Sequence, residues 1–251
     1  MATRSRTPGP VTVKPCWVDD LEAAVTESDA SLRPLISAHR GGPEGIHCPN
    51  SLEAIHAAVQ LGVDLVEFDV RRAPDGSFVI VHDALPGRGE RPASLRAALE
   101  VIQGSRTIAH VDLKETGDEL AIAQLCERYL DTDGFFLTTT EDESVRVLRT
   151  TMPHLSVALS LGKVPPVRAV LAELFPGGRI ARCSPTMLAV NHRLARAGLL
   201  RWAHERRLRV LAWTVNTPRL IQWANEEPRL WAFTTDRPRY ALALRAAKTA
   251  A

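Results

Sequence analysis

The chain has 251 residues, of which 45% are apolar and 24% charged, and its 31 basic and 29 acidic residues leave a formal net charge of +2. This near-neutral balance excludes nucleic-acid binding driven by bulk electrostatics. No apolar stretch approaches the roughly 18 residues that would indicate a membrane span. At about 150 residues per domain, the length allows one large domain or two small ones.

The first residues differ in composition from the rest of the chain. Residues 1–34 contain three early prolines and then an acidic stretch of small residues, which predicts an N-terminal arm ahead of a single domain at 35–251. Basic residues near the start have no apolar segment behind them, so no secretory signal is predicted. Four widely spaced cysteines form neither a disulfide framework nor a zinc motif, which favours a location in the reducing cytoplasm.

From Leu35 onward, short β-rich runs alternate with helical stretches such as 167–175. Repeated strand–helix units predict a parallel sheet, and about eight of them fit a (β/α)8 TIM barrel better than an open sheet. An open sheet usually carries a glycine-rich phosphate loop after its first strand, and no such loop is present. The predicted strands are 35–39, 63–70, 77–82, 107–113, 134–139, 155–160, 179–183 with a possible shift to 187–191, 208–215 and 230–235.

Titratable residues end the first four predicted strands, where the catalytic groups of such barrels lie. Residues two apart on a strand share a face, so Glu67 and Asp69 project together, as do Asp112 and Lys114. A packed core rejects such groups unless they are paired. In chain order the strand ends are His39-Arg40, Glu67-Phe68-Asp69, His82-Asp83 and Asp112-Leu113-Lys114.

These side chains predict the parts of a phosphate-processing site. Glu67, Asp69 and Asp112 would form an oxygen-only site for one divalent cation, Mg²⁺ or Ca²⁺. Arg40 and Lys114 suit phosphate binding at its edge, although either could instead form a structural ion pair with the acids. The acid site, the cations and two histidines together predict phosphodiester cleavage.

Two histidines complete the predicted set. An imidazole can accept or donate a proton near neutral pH, so one of His39 and His82 would accept a proton and the other would donate one. The remaining histidines, His110 among them, follow no ligand spacing and are interpreted as surface or core residues. Asn216 and Asp236 are interpreted as turn and cap residues.

At these residues the sequence resembles the glycerophosphodiester phosphodiesterase family, over about residues 35–240. The matching segments are ISAHRGG, PNSLEAIHAAVQLGVDLVEFDVRRAPDGSFVIVHD, HVDLK, VLAWTVN and WAFTTDRP. The resemblance implies the same roles for the residues already named, and it adds Trp213 as a residue near the substrate.

Three departures from the family pattern stand out. Pro49 occupies the position of a usual glutamate, and Asp112 replaces the glutamate of the usual Glu-x-Lys, as in the similar venom-type phospholipase D branch. Between His82 and Asp112 the chain has little more than one loop and one helix, where family members usually carry an inserted subdomain. This short segment predicts an active-site mouth that is more open than usual for the family, with room for a bulkier substrate.

The resemblance implies metal-dependent hydrolysis of glycerophosphodiesters to an alcohol and glycerol phosphate, within lipid metabolism. The expected partner is a small-molecule or lipid-derived phosphodiester. Two alternatives stay open: phospholipase D-like cleavage of lysophospholipids, and a catalytically silent phosphodiester-binding protein.

Overall fold

The computed structural model describes residues 33–83, 92–162 and 176–249. Most of the predicted arm at 1–34 and the predicted helix at 167–175 lie outside the described residues. The strands are β1 Leu35–Ala38, β2 Leu65–Arg72, β3 Phe78–Ile80, β4 Ile108–Leu113, β5 Phe135–Thr139, β6 Val157–Leu161, β7 Met187–Asn191, β8 Arg209–Trp213 and β9 Ala232–Thr235.

Eight parallel strands close into a barrel in the order β1, β2, β4, β5, β6, β7, β8, β9. The closure is made by β1, on which Ser37 lies opposite Leu65 of β2 on one side and Thr234 of β9 on the other. The prediction of a (β/α)8 barrel is therefore confirmed.

The third predicted strand is not part of the barrel wall. β3 pairs antiparallel with the end of β2, with Ile80 opposite Val70 and Phe78 opposite Arg72. The eight-residue β2 continues beyond the last residues that pair with β4, and a tight turn with Gly76 at φ 86° folds the chain back. The interpretation of 77–82 as an inner strand was therefore wrong, and the segment reaches the mouth as a hairpin.

Helices cover the outside of the barrel, and three of them begin at a capping side chain. The side chains of Ser51, Ser94 and Thr217 each accept a hydrogen bond from the backbone N–H three residues on, which satisfies a free donor of the first turn. The helices are α1 Leu52–Leu61, α2 Leu95–Ile102, α3 Glu119–Glu127, α4 Asp142–Thr151, α5 Gly177–Cys183, α6 His192–Leu194, a π turn Ala195–Leu199, α7 Leu200–Glu205, α8 Pro218–Glu226 and α9 Pro238–Thr249.

The segment 179–183 was predicted first as a strand, and it forms most of α5 instead. Ile180 and Cys183 are three residues apart, so both reach the core from one helix face. Ser184 then ends the helix in a left-handed conformation at φ 50°. The alternative at 187–191 is the strand, because Met187–Asn191 pairs with both β6 and β8.

The core has two layers separated by the barrel wall. Side chains that face outward, such as Phe68 and Val70, pack under the helices, while Leu65, Phe136 and Leu211 belong to a separate cluster inside the barrel. Because side chains alternate along β2, Glu67 and Asp69 lie above Leu65 on the inner face. The apolar side chains inside the barrel therefore lie directly below the polar side chains at its carboxyl end. No helix in the described residues is long and apolar enough to cross a bilayer.

Candidate active site

A cavity of about 170 Å³ opens at the carboxyl ends of the barrel strands. The structure brings all the sequence-predicted site residues to this one cavity. They are His39, Arg40, Glu67, Asp69, His82, Asp112, Lys114 and Trp213.

Three carboxylates form the acidic side of the cavity. Glu67, Asp69 and Asp112 each offer an oxygen within 4.8 Å of the other two, and the strand register places Asp69 directly opposite Asp112. Burial, with repulsion from Asp69, raises the pKa of Glu67 to about 7. Crowded carboxylate oxygens are the ligands that Mg²⁺ and Ca²⁺ prefer, so the residues present fit a hard divalent cation.

Both predicted cations lie against these acids. Lys114 Nζ is 2.5 Å from Asp69 Oδ1 and also contacts Asp112, and Arg40 Nε is 3.1 Å from Asp69 Oδ2. Burial opposes ionisation of Asp69, but Lys114, Asn50 and Arg40 outweigh it and lower the pKa of that carboxyl. The two ion pairs that the sequence left open are therefore both present.

Asn50 is a site residue that sequence reasoning missed. Its Nδ2 donates to Asp69 Oδ2 at 2.8 Å, and its Oδ1 accepts from the Asp69 backbone N–H at 3.1 Å. Its φ of 59° is left-handed, a conformation that asparagine adopts more readily than most residues. The available signal was an asparagine directly before the capping Ser51.

The turn His39–Gly41 after β1 points one backbone donor into the site. Arg40 has a φ of 51°, and its N–H donates to Glu67 Oε2 at 2.7 Å. Gly41 follows at φ 83°, where an added Cβ would lie only 2.6 Å from the Cβ of Ala54. Only glycine fits at this position, so α1 can pack directly against the turn.

His39 is held by a hydrogen-bonded chain from the opposite end of the sequence. Its Nδ1 lies 2.6 Å from Asp236 Oδ1, and its Nε2 lies 4.0 Å from Glu67 Oε2. Asn216 donates to Asp236 and accepts from the Asp236 backbone N–H at 2.9 Å. Burial lowers the pKa of His39, but Glu67 and Asp236 outweigh it and leave that pKa raised. Asp236 and Asn216 are therefore not only turn and cap residues, because Asp236 holds His39 and Asn216 holds Asp236.

His82 enters the cavity from the hairpin. Its side chain is partly exposed, and its Nδ1 lies 2.8 Å from Asp83 Oδ1. Its carbonyl accepts from Arg71 Nε at 3.0 Å, and the Val81 N–H donates to the carbonyl of Asp69 at 2.9 Å. These bonds tie the hairpin to the mouth of the barrel beside the acids.

His110, interpreted from sequence as a surface or core residue, is buried beneath the acids and lines the cavity. Thr138 Oγ1 donates to Asp112 Oδ1 at 2.7 Å and lies 3.2 Å from His110 Nε2. Since the hydroxyl proton is committed to Asp112, the His110 Nε2–H donates to Thr138 and its Nδ1 accepts from Ser37. Burial lowers the pKa of His110 to about 3, so the ring is neutral.

The other side of the cavity carries small and polar side chains from β6 to β9. Trp213 lies at the end of β8, and its Nε1 is buried with no hydrogen-bond partner in the described part of the chain. Ser160, Ala189, Thr214 and Thr234 also line this side. The cavity thus joins an acidic side to a side made of hydroxyl, methyl and indole groups.

Comparison with known proteins agrees with this geometry. Residues 39–115 match the sequence model of the glycerophosphoryl diester phosphodiesterase family. The chain is 22% identical over 163 residues to a glycerophosphodiester phosphodiesterase of Caldanaerobacter subterraneus subsp. tengcongensis, a match that covers 51% of this chain and 67% of the relative.

Solved structures share the barrel. A glycerophosphodiester phosphodiesterase from Parabacteroides distasonis aligns with a TM-score of 0.70 at 16% identity, covering 86% of this chain and 98% of that one. An Oleispira antarctica phosphodiesterase, solved in complex with the product sn-glycerol-3-phosphate, aligns with a TM-score of 0.69 at 20% identity, covering 84% and 96%. At such identities the likeness shows the fold.

The closed barrel with its acidic mouth and the family match together define an enzyme of the phosphoric diester hydrolase class. Within that class, the chain is similar to the glycerophosphoryl diester phosphodiesterase family over residues 39–115.

Proposed function

We propose that the protein is a divalent-cation-dependent phosphodiesterase that hydrolyses glycerophosphodiesters to an alcohol and glycerol phosphate. The observation that carries this proposal is the cluster of three carboxylate oxygens within 4.8 Å of one another, in a cavity also lined by two basic residues and two histidines. The glycerol phosphate bound to the Oleispira antarctica relative supports the product.

Glu67, Asp69 and Asp112 would hold the cation, either Mg²⁺ or Ca²⁺. When bound, the cation supplies positive charge to a phosphate oxygen. Lys114 and Arg40, which now contact Asp69, would bind the remaining phosphate oxygens. Fixed positive charge around a phosphoryl group is worth several kcal/mol in the transition state, roughly the effect of one or two oriented donors.

The two histidines would move the protons of the reaction. One accepts a proton from the attacking hydroxyl as its oxygen bonds to phosphorus, and the other donates a proton to the alkoxide released when the ester bond breaks. The attacker is either water or a neighbouring substrate hydroxyl that first gives a cyclic phosphate. Because Nδ1 of His39 is bonded to Asp236, its Nε2 is the atom free to exchange a proton with the substrate.

Histidine variants test the proposal on glycerophosphocholine with Mg²⁺ or Ca²⁺. We expect His39→Ala and His82→Ala each to lower kcat by about 100-fold or more, the usual contribution of a general acid or base. His154→Ala is the matched control, because His154 contacts Glu127 outside the cavity. Turnover like that of the wild type in either site variant would contradict the assignment.

A second candidate substrate class is lysophospholipids, cleaved by the same residues. A groove of about 840 Å³ adjoins the cavity and shares Arg40 and His82 with it. Leu52, Ile80 and Pro92 are among its apolar lining residues, which suits an acyl chain. Side-by-side rates on glycerophosphocholine and lysophosphatidylcholine distinguish the two classes, and a strong preference for the small diester would contradict this candidate.

The domain organisation and the cellular compartment are also proposals. We propose an arm at 1–34 followed by one barrel at 35–251, supported by the barrel that the described residues form between β1 and α9. We propose the cytoplasm as the compartment, supported by the free thiols of Cys48, Cys126 and Cys183. Limited proteolysis and cell fractionation test these two proposals.

A further inference from the structure

The side of the cavity formed by β8 and β9 holds two polar groups that the catalytic steps do not use. The acids lie on β2 and β4, whereas Trp213 lies on β8, opposite β4 in the barrel, and Thr234 lies on the neighbouring β9. Thr234 is 1% exposed, and its Oγ1 has no hydrogen-bond partner among the described residues. The Nε1 atom of Trp213 is also buried and has no hydrogen-bond partner among the described residues.

The position of Thr234 follows from the alternation along β9. Phe233 packs outward under the helices and Ala232 belongs to the cluster inside the barrel, so Thr234 faces inward as well, toward the mouth. Its carbonyl accepts from the backbone N–H of Val215 at 2.8 Å. The hydroxyl is therefore the polar group of the Thr234 side chain that faces the cavity without a partner among the described residues.

Buried polar groups without partners are rare in native proteins, because losing water without a replacement bond is unfavourable. Two such groups at the edge of one cavity therefore point to a ligand that supplies the missing bonds. An indole N–H only donates, so Trp213 requires an acceptor, whereas a threonine hydroxyl can both donate and accept. An alcohol oxygen satisfies both requirements. Ala189, on the strand between them and Ser160, leaves this side of the cavity open.

We propose that Thr234 Oγ1 and Trp213 Nε1 form a subsite that binds the free hydroxyl groups of the polyol half of the substrate. The inference rests on the proposed function, which puts the phosphate on the side of Arg40 and Lys114. The subsite then selects phosphodiesters whose alcohol carries free hydroxyls next to the phosphate. A site built to bond a hydroxyl discriminates strongly against an analogue that lacks it, because its own groups are left unpaired.

An isosteric variant tested on two substrates separates this role from catalysis. We expect Thr234→Val, which keeps the shape of the side chain and removes the hydroxyl, to lower kcat/KM for glycerophosphocholine about tenfold or more. Where the wild type turns over bis(p-nitrophenyl) phosphate, which has no free hydroxyl and therefore requires water as the attacker, the rate of the variant should stay within about twofold of the wild type; where it does not, the binding measurement below decides. An equal loss on both substrates, or no loss on either, would overturn the subsite.

A binding measurement keeps the inference testable without turnover. Calorimetry should show that the wild type binds sn-glycerol 3-phosphate about tenfold more tightly than ethyl phosphate, and that Thr234→Val removes the preference. If the wild type hydrolyses neither diester yet keeps this preference, the proposed activity fails and the subsite stands. If it hydrolyses both diesters but shows no preference, the activity stands and the subsite fails.

Thermal unfolding distinguishes a ligand-binding hydroxyl from a structural one, because removing a structural hydroxyl would lower the unfolding temperature. Thr234→Val removes an unpaired buried hydroxyl, so the ligand-free variant should unfold at the same or a higher temperature than the wild type. The matched control is Thr107→Val, because the buried Thr107 hydroxyl donates to the carbonyl of Val63 at 3.0 Å. That variant should unfold at a lower temperature. A lowered midpoint for Thr234→Val would overturn the inference.

Discussion

The Nδ1 atom of His39 lies 2.6 Å from the Oδ1 atom of Asp236, a residue 197 positions further along the chain. His39 follows β1 and Asp236 follows β9, two strands that are neighbours only because the barrel closes. Asn216 binds Asp236 from the loop after β8. Barrel closure therefore orients His39 and leaves its Nε2 facing the acids.

We predict that Asp236→Asn lowers the pKa of His39. A carboxylate stabilises the protonated imidazole and an amide does not, so the raised pKa should fall when the charge is removed. Titration of the metal-free protein followed by the NMR signals of the ring measures this shift, and kcat should fall about 10- to 100-fold with it. Asp83→Asn is the control, because Asp83 contacts His82 and not His39. An unchanged pKa for His39 would contradict the account.

We predict that Asn50→Gly weakens cation binding about 10- to 100-fold, the usual cost of removing a group that orients a metal ligand. Glycine keeps the left-handed conformation of position 50 and removes only the amide that holds Asp69. Calorimetric titration with Ca²⁺ and Mg²⁺ measures the change. Cation affinity equal to that of the wild type would mean that Asn50 only shapes the turn.

We predict that Thr138→Val also weakens cation binding, about tenfold, because Asp112 loses its donor and His110 its acceptor. The adjacent Thr139 offers a matched control. It is equally buried, but its hydroxyl accepts from the backbone of Glu141 and it does not line the cavity. Similar affinities in Thr138→Val and Thr139→Val would argue against a positioning role for Thr138.

We predict that Gly41→Ala lowers the free energy of unfolding by about 3 kcal/mol or more, because left-handed strain adds to a steric clash. The added methyl would lie 2.6 Å from the Cβ of Ala54. Gly45→Ala is the control, since Gly45 has a φ of 77° but open space around it, and should cost about 1 kcal/mol. Urea unfolding measures both values, and equal losses would rule out the clash as the cause.

The periodic and local features of the molecule could be predicted from the sequence. Alternation along one strand brought Glu67 and Asp69 to the same face, and the serine before α1 marked its start. The segment 179–183 was ambiguous, because a short amphipathic run fits either a strand or a helix until its neighbours are known. The segment forms a helix because residues 187–191, and not 179–183, pair between β6 and β8.

Contacts between distant segments could not be predicted. Asp236 reaches His39 only across the closed barrel, and Asn50 reaches Asp69 only because a left-handed residue turns the loop back over β2. Neither relationship leaves a periodic signal in the chain. The antiparallel direction of β3 was missed for a related reason, since an extended run looks the same in either direction.

The central claim is that three carboxylates at the barrel mouth hold a cation needed for phosphodiester hydrolysis. The most direct test is the rate of glycerol phosphate release from glycerophosphocholine by the wild-type protein, before chelation, after chelation and after cation is restored. The account predicts turnover that chelation abolishes and that Mg²⁺ or Ca²⁺ restores. Turnover at an unchanged rate in excess chelator would contradict it.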